Sequence, residues 1–154
     1  MHAGLSAGSA DLDPGEYLSR SYPAVADSVP RARAEVTGFA ESAGATAKQL
    51  DAIRLAVSEA ATNVVIHAYE GSPGEIRLNA CVDADALLIE VVDEGLGLRP
   101  RIDGPGLGVG LALICQVADG FAIANRESGG TEVQMRFGLG FGDDLRESAG
   151  PSAA

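Results

Sequence analysis

The stretch SEAATNVVIHAY, residues 58–69, decides how the rest of the chain is read. Its Ala and Val content suits a buried helix, yet Glu59, Asn63 and His67 recur at intervals of four. Side chains at i and i+4 stack on one helical face, so the spacing predicts a polar line on an otherwise apolar element. A packed core holds an acid, an amide and an imidazole only where each finds a partner. The line is therefore either satisfied structurally, as i, i+4 polar pairs often are, or it faces a ligand.

Working outward, Leu50, Ile53, Leu55, Val57, Ala60, Val64 and Val65 continue the apolar surface. They predict one helix from Thr46 or Ala47 to Tyr69, stopped by GSPG at 71–74. Upstream, SVPRARAEVTGFAESAG reads as a second helix, with Ser28 as its cap, Pro30 in its first turn and Gly44 as its end. Before it, an extended segment at 20–22 meets Pro23, which disfavours helix for its predecessor. Downstream, EIRLNACV and ALLIEVVD read as two strands joined through Asp83, Ala84 and Asp85. A glycine-rich region from Gly95 to Gly110 leads into a helix over about 109–118, and the strands GFAIANRE and TEVQMRFG follow, joined by SGG. Adjacent hairpins with helices elsewhere predict an α+β two-layer sandwich, its mostly antiparallel sheet covered by helices on one face.

Composition narrows the function classes. The 154 residues are 46% hydrophobic, enough for one domain with a core. Twenty-two acids against 11 bases give a formal charge of −11, with no Lys/Arg cluster. Nucleic-acid binding relies on concentrated basic residues and is not expected. No apolar run reaches membrane-spanning length and no signal pattern opens the chain, so a cytoplasmic protein is expected. Cys81 and Cys115 are too few for a disulfide framework or a metal cage. The Gly-, Ala-, Ser- and Asp-rich ends predict flexible tails at 1–17 and 139–154, around a domain at 18–138.

Four constellations carry chemistry. In the Glu59, Asn63, His67 line, an amide oxygen suits Mg²⁺ that also binds phosphates, and a carboxylate one turn away can accept a hydroxyl proton. VVDEGLGL ends an apolar strand in Asp93, an acceptor for an exocyclic amine, with Gly95 and Gly97 lacking a Cβ in the way of a ligand. A strand-ending turn also favours Asp and Gly. GPGLGVGLALICQVAD places Gly104, Gly106, Gly108 and Gly110 before an apolar helix, a phosphate-binding arrangement or a glycine-rich hinge. It is neither a P-loop nor a Rossmann fingerprint. SGGTEVQMRF supplies a tight turn before Thr131.

In this order, the four stretches resemble the ATP-binding boxes of the GHKL superfamily of gyrase, heat-shock chaperone, histidine kinase and MutL ATPases. EAATN at 59–63 resembles the N box and DEGLG at 93–97 the first glycine box. GVGLALI from Gly108 resembles the second glycine box, and Gly130 with Thr131 the Gly-Thr of the last. YPAVADSVPRARAEV and DAIRLAVSEAATNVVIHAY are similar to the bacterial anti-sigma-factor serine/threonine kinases, over about residues 18–138. A sensor histidine kinase is disfavoured, because no dimerisation helix with a phosphoacceptor histidine precedes these boxes.

The resemblance implies a Bergerat-type fold binding ATP and Mg²⁺. Asn63 would ligate Mg²⁺, Asp93 would read the adenine amine, and Gly95 and Gly97 would shape the adenine pocket with support from Thr131. Gly106, Gly108, Gly110 and Leu111 would belong to the phosphate-side box, and Glu59 would be the catalytic base. The glycines at 106, 108 and 110 allow overlapping registers; the one starting at Gly108 is preferred because it places Asp119 and Gly120 at the helix end. Arg99 and Arg101, in the short RPRIDGP segment, read as solvated loop charges. The implied partners are a sigma factor and an anti-sigma-factor antagonist, with a homodimer expected. The competing functions are a nucleotide-dependent module that sequesters a partner without phosphorylating it, and an interaction domain that has lost ATP.

Overall fold

The computed structural model describes residues 17–97 and 108–139. Nearly all of both expected tails, the RPRIDGP segment with Arg99 and Arg101, and Gly106 lie outside the described residues. The chain runs β1 (Tyr17–Pro23), α1 (Ser28–Ser42), α2 (Ala47–Asn63), a π-helical turn (Val64–Ala68), β2 (Glu75–Asp83) and β3 (Ala86–Val92). It continues as α3 (Gly108–Val117), β4 (Gly120–Asn125) and β5 (Thr131–Gly138). This is the expected α+β sandwich, and all four strand pairings are antiparallel, in the order β1-β2-β3-β5-β4.

Local chemistry explains most of the boundaries. Gly44, at φ +94°, ends α1 in a left-handed conformation. The Ala45 amide donates to Ala40 O at 3.0 Å and the Gly44 amide to Glu41 O at 3.1 Å, the paired bonds of a Schellman end. The start of α1 corrects the sequence reading. Ser28 is the first helical residue rather than the cap; Asp27 precedes it and makes no side-chain capping bond. Ser28 is instead buried. For α2, Thr46 and Gln49 form a reciprocal capping box, with Gln49 N to Thr46 Oγ1 at 3.2 Å and Thr46 N to Gln49 Oε1 at 2.7 Å. Gln49 Nε2 also donates to Gly138 O at 2.5 Å, tying the start of α2 to the end of β5.

The core lies between the helices and the inner sheet face. Ile53, Ala56, Val57 and Ala60 of α2 and Ala32, Val36 and Ala40 of α1 pack over Ile76, Leu78, Leu87, Ile89, Val91 and Met135. Burying each of the larger side chains stabilises the fold by about 1.5–3 kcal/mol. Alanines on both helices let their backbones approach closely. The opposite sheet face is polar, where Asn79 Nδ2 donates to Glu90 Oε2 at 2.9 Å and accepts, through Oδ1, the Ser19 hydroxyl at 2.9 Å.

The single helix expected from 46 or 47 to Tyr69 is a second correction. It is α-helical only to Asn63 and then widens into the π turn. Such turns commonly occur at functional sites, because they re-aim the side chains that follow. Chain order matters equally. After β3 the chain crosses through α3, forms the edge strand β4, and returns as β5 between β4 and β3. Val92 pairs with Glu132, so Asp93, just past β3, lies beside Thr131, the first residue of β5.

Candidate functional site

A cleft open to solvent lies where α2 and its π turn meet the ends of β3, β4 and β5. Ala60, Val64, Ala68, Leu111, Ile123 and Val133 make it apolar, while Asn63, His67, Asp93 and Thr131 supply its polar groups. Apolar walls with a few fixed polar groups suit a flat heteroaromatic ligand. Gly97 completes the lining.

Asp93 is only 6% exposed. Its Oδ1 accepts the Gly95 amide at 2.9 Å and the Thr131 amide at 3.3 Å, while its own amide donates to Thr131 O at 3.0 Å. Burial pushes the carboxyl upward from its ordinary value, against the opposing pull of those two amides and the Arg126 charge. Both carboxylate bonds among the described residues use Oδ1, so Oδ2 remains for a ligand's donor.

Glu59 and Asn63 converge where α3 crosses α2. A Cβ placed on Gly110 would lie 2.9 Å from Glu59 Oε2 and 3.4 Å from both polar ends of the Asn63 amide. Asn63 Nδ2 is buried with no hydrogen-bond partner among the described residues. An amide left unsatisfied inside a cleft fits a ligand that completes its bonding. The expected line of three thus divides: Asn63 and His67 line the cleft, whereas Glu59 sits against Gly110 and is not part of the lining. Together the groups place an amine acceptor at one end of an apolar slot, and an amide with a carboxylate beside glycine backbone.

The glycines have more varied duties than ligand approach. A Cβ on Gly95 would lie 2.0 Å from Ala68 O, and one on Gly130 would lie 1.9 Å from Asp93 O. These two admit protein backbone, not ligand. Gly97, at φ +76°, needs glycine for its conformation and also faces the cleft. Gly108 opens α3 with no described residue within 4 Å of where its Cβ would lie, and Leu111 reaches the cleft from the same helix. Asp119, just beyond α3, accepts the Gly138 amide through Oδ2 at 2.6 Å, so its place at the helix end is structural.

Three contributors escaped the sequence reading. Tyr69 donates its hydroxyl to Glu75 O at 2.6 Å and accepts the Glu94 amide at 3.0 Å. Arg126 Nη1 donates to Asp93 O at 3.4 Å and to Gly129 O at 3.3 Å, bracing the turn from the other side. Ile123 supplies a cleft wall from the edge strand. A tyrosine at a helix end was the only available signal for Tyr69, since its partners lie 6 and 25 residues away.

Residues 22–137 match the family described as histidine kinase-like ATPase domain. A protein named anti-sigma F factor from Clostridium acetobutylicum is 31% identical over 118 residues, covering 68% of this chain and 81% of that one. Another of that name, from Clostridium beijerinckii, is 26% identical over 135 residues, covering 79% and 90%. Among solved structures, the RsbU and RsbW domains of a Mycobacterium tuberculosis protein align with a TM-score of 0.64 at 24% identity, which supports the fold. That alignment spans 80% of this chain and 32% of the other. Among the described residues no helix is long and apolar enough to cross a membrane.

Proposed function

This chain belongs to the histidine kinase-like ATPase domain family, the GHKL superfamily, whose domain binds ATP, and from that premise we propose that it is a serine/threonine protein kinase using Mg-ATP. In this reading it phosphorylates an anti-sigma-factor antagonist and separately sequesters a sigma factor, acting in the cytoplasm as a homodimer. Its relatives named anti-sigma F factor support the choice of partners. The catalytic unit is residues 18–138, a reading supported by the matched span of 22–137.

The observation that carries the reading is the convergence of Glu59 and Asn63 on Gly110, beside a cleft that also presents Asp93. Asp93 accepts the adenine amine through the carboxylate oxygen its backbone bonds leave open. Thr131 and Gly95 hold that carboxylate, and Gly97 and the apolar walls enclose the base. Asn63 would supply an oxygen donor to a Mg²⁺, which would stabilise the charge on the transferring phosphoryl group. Gly106, Gly108, Gly110 and Leu111 form the phosphate side, where the amides at the start of α3 face negative charge. Glu59 takes the proton from the partner's serine or threonine hydroxyl as that oxygen bonds to the γ-phosphorus and the bond from that phosphorus to the departing ADP breaks. Bound Mg-ATP supplies the transferable γ-phosphoryl group.

Calorimetric titration with ATP, with and without Mg²⁺, tests the site, and transfer of labelled γ-phosphate to the antagonist tests the activity. Glu59→Ala is expected to abolish transfer while sparing most of the ATP affinity. Unchanged transfer would remove Glu59 as the base. ATP binding without transfer by the wild type would leave a nucleotide-dependent module that acts by sequestration alone.

A further inference from the structure

Three consecutive amides follow Asp93, and each has its own acceptor. The Glu94 amide donates to the Tyr69 hydroxyl at 3.0 Å, the Gly95 amide to Asp93 Oδ1 at 2.9 Å, and the Leu96 amide to Ala68 O at 2.8 Å. The first and third acceptors belong to neighbouring residues at the end of the π turn, on the helix that carries Asn63. The middle amide orients the Asp93 carboxylate. The turn is thus pinned on both sides of one of the two bonds that aim the acid.

Tyr69 is the side-chain member of this pair. A tyrosine hydroxyl has one proton to give, and here it goes to Glu75 O at 2.6 Å, leaving the oxygen's lone pairs to receive the Glu94 amide. The hydroxyl therefore joins the start of β2 to the turn after β3. Its ring lies flat on Gly74, where a Cβ would come within 2.3 Å of ring carbons Cε1 and Cζ.

We propose that Tyr69 is a positioning residue that sets the aim of the Asp93 carboxylate, and so the preference of the cleft for a purine bearing an exocyclic amine. The inference rests on the reading of Asp93 as acceptor for that amine. Tyr69 touches no ligand in this scheme and acts through the Glu94 amide and the Gly95 amide beside it.

Tyr69→Phe keeps the ring on Gly74 and removes both hydroxyl bonds. Calorimetry on the full chain compares ATP with purine riboside triphosphate, which lacks the amine. The preference for ATP is expected to shrink by roughly three- to tenfold, the usual worth of a hydrogen bond, with affinity for the amine-free nucleotide unchanged. Amide exchange at Gly95 and Thr131, both bound to Asp93 Oδ1, is expected to quicken. Equal losses for both nucleotides, or unchanged exchange at those amides, overturn the inference. Gly74→Ala, which displaces the ring but retains the hydroxyl, is expected to reproduce the selectivity loss should the phenylalanine variant fold poorly. Equal binding of the two nucleotides by the wild type would instead overturn the Asp93 assignment, and the exchange rates would still decide whether Tyr69 positions the carboxylate.

Discussion

Replacing Gly95 by alanine separates two reasons for a glycine in the first glycine box. If the residue serves only ligand approach, the variant should fold normally and lose nucleotide affinity alone. The structure predicts otherwise, because the added Cβ would lie 2.0 Å from Ala68 O and 2.5 Å from its carbonyl carbon. Favourable contacts of this kind sit near 3.5 Å, so backbone must separate by more than about 1 Å. Gly95 is not among the glycines with positive φ, so the cost is steric rather than conformational. Overpacking of this type costs about 1–3 kcal/mol. Separation also breaks the 2.8 Å bond from Leu96 N to Ala68 O, about 1 kcal/mol more. The expected loss is about 2–4 kcal/mol, or roughly 6–12 °C in melting temperature for a domain of this size. Urea unfolding of the ligand-free protein measures it. Gly38→Ala is the control, because nothing lies within 4 Å of a Cβ at that exposed position of α1, and helix propensity predicts a gain of up to about 1 kcal/mol. A Gly95→Ala protein within about 1 kcal/mol of wild type would show that the Ala68 carbonyl does not need a glycine at position 95.

Gly110→Ala is expected to behave differently: its nearest obstacle is the end of the flexible Glu59 side chain at 2.9 Å, which can yield. Stability should therefore change little while phosphotransfer falls at least tenfold, more than ATP affinity does, as single-turnover and binding assays would show. Asp93→Asn tests the buried charge. Because burial raises the folded-state pKa of Asp93 above its ordinary 3.8, the protonated form is favoured by folding, and that contribution is lost as pH rises through the raised value. At neutral pH the variant should match or exceed wild-type stability while binding ATP more weakly, and its stability advantage should fade as pH falls toward 3.8 in paired thermal melts. Asn63→Ala should weaken Mg-ATP binding and reduce the difference made by chelating the metal, measured by calorimetry; an undiminished metal dependence would exclude Asn63 as a ligand.

Much of this protein was legible along the chain because its signals are local. Apolar periodicity marked α2 from Leu50 onward, Gly44 marked the end of α1, and the alternation in EIRLNACV and TEVQMRFG marked strands with one buried face. The resemblance of the four boxes to the GHKL superfamily likewise brought out Glu59, Asn63, Asp93, Gly97 and Thr131 as a group. Tertiary structure decided what no local pattern encodes. The return of β5 between β3 and β4 sets Thr131 against Asp93, 38 residues away in sequence. The π turn places His67 in the cleft lining and leaves Glu59 against Gly110. Gly95 and Gly130 proved to be seats for other backbone, and Tyr69 a bridge between β2 and the turn after β3. The physical reason is range: propensity and periodicity act over a few residues, whereas these contacts exist only once distant segments are packed within a few ångströms of one another.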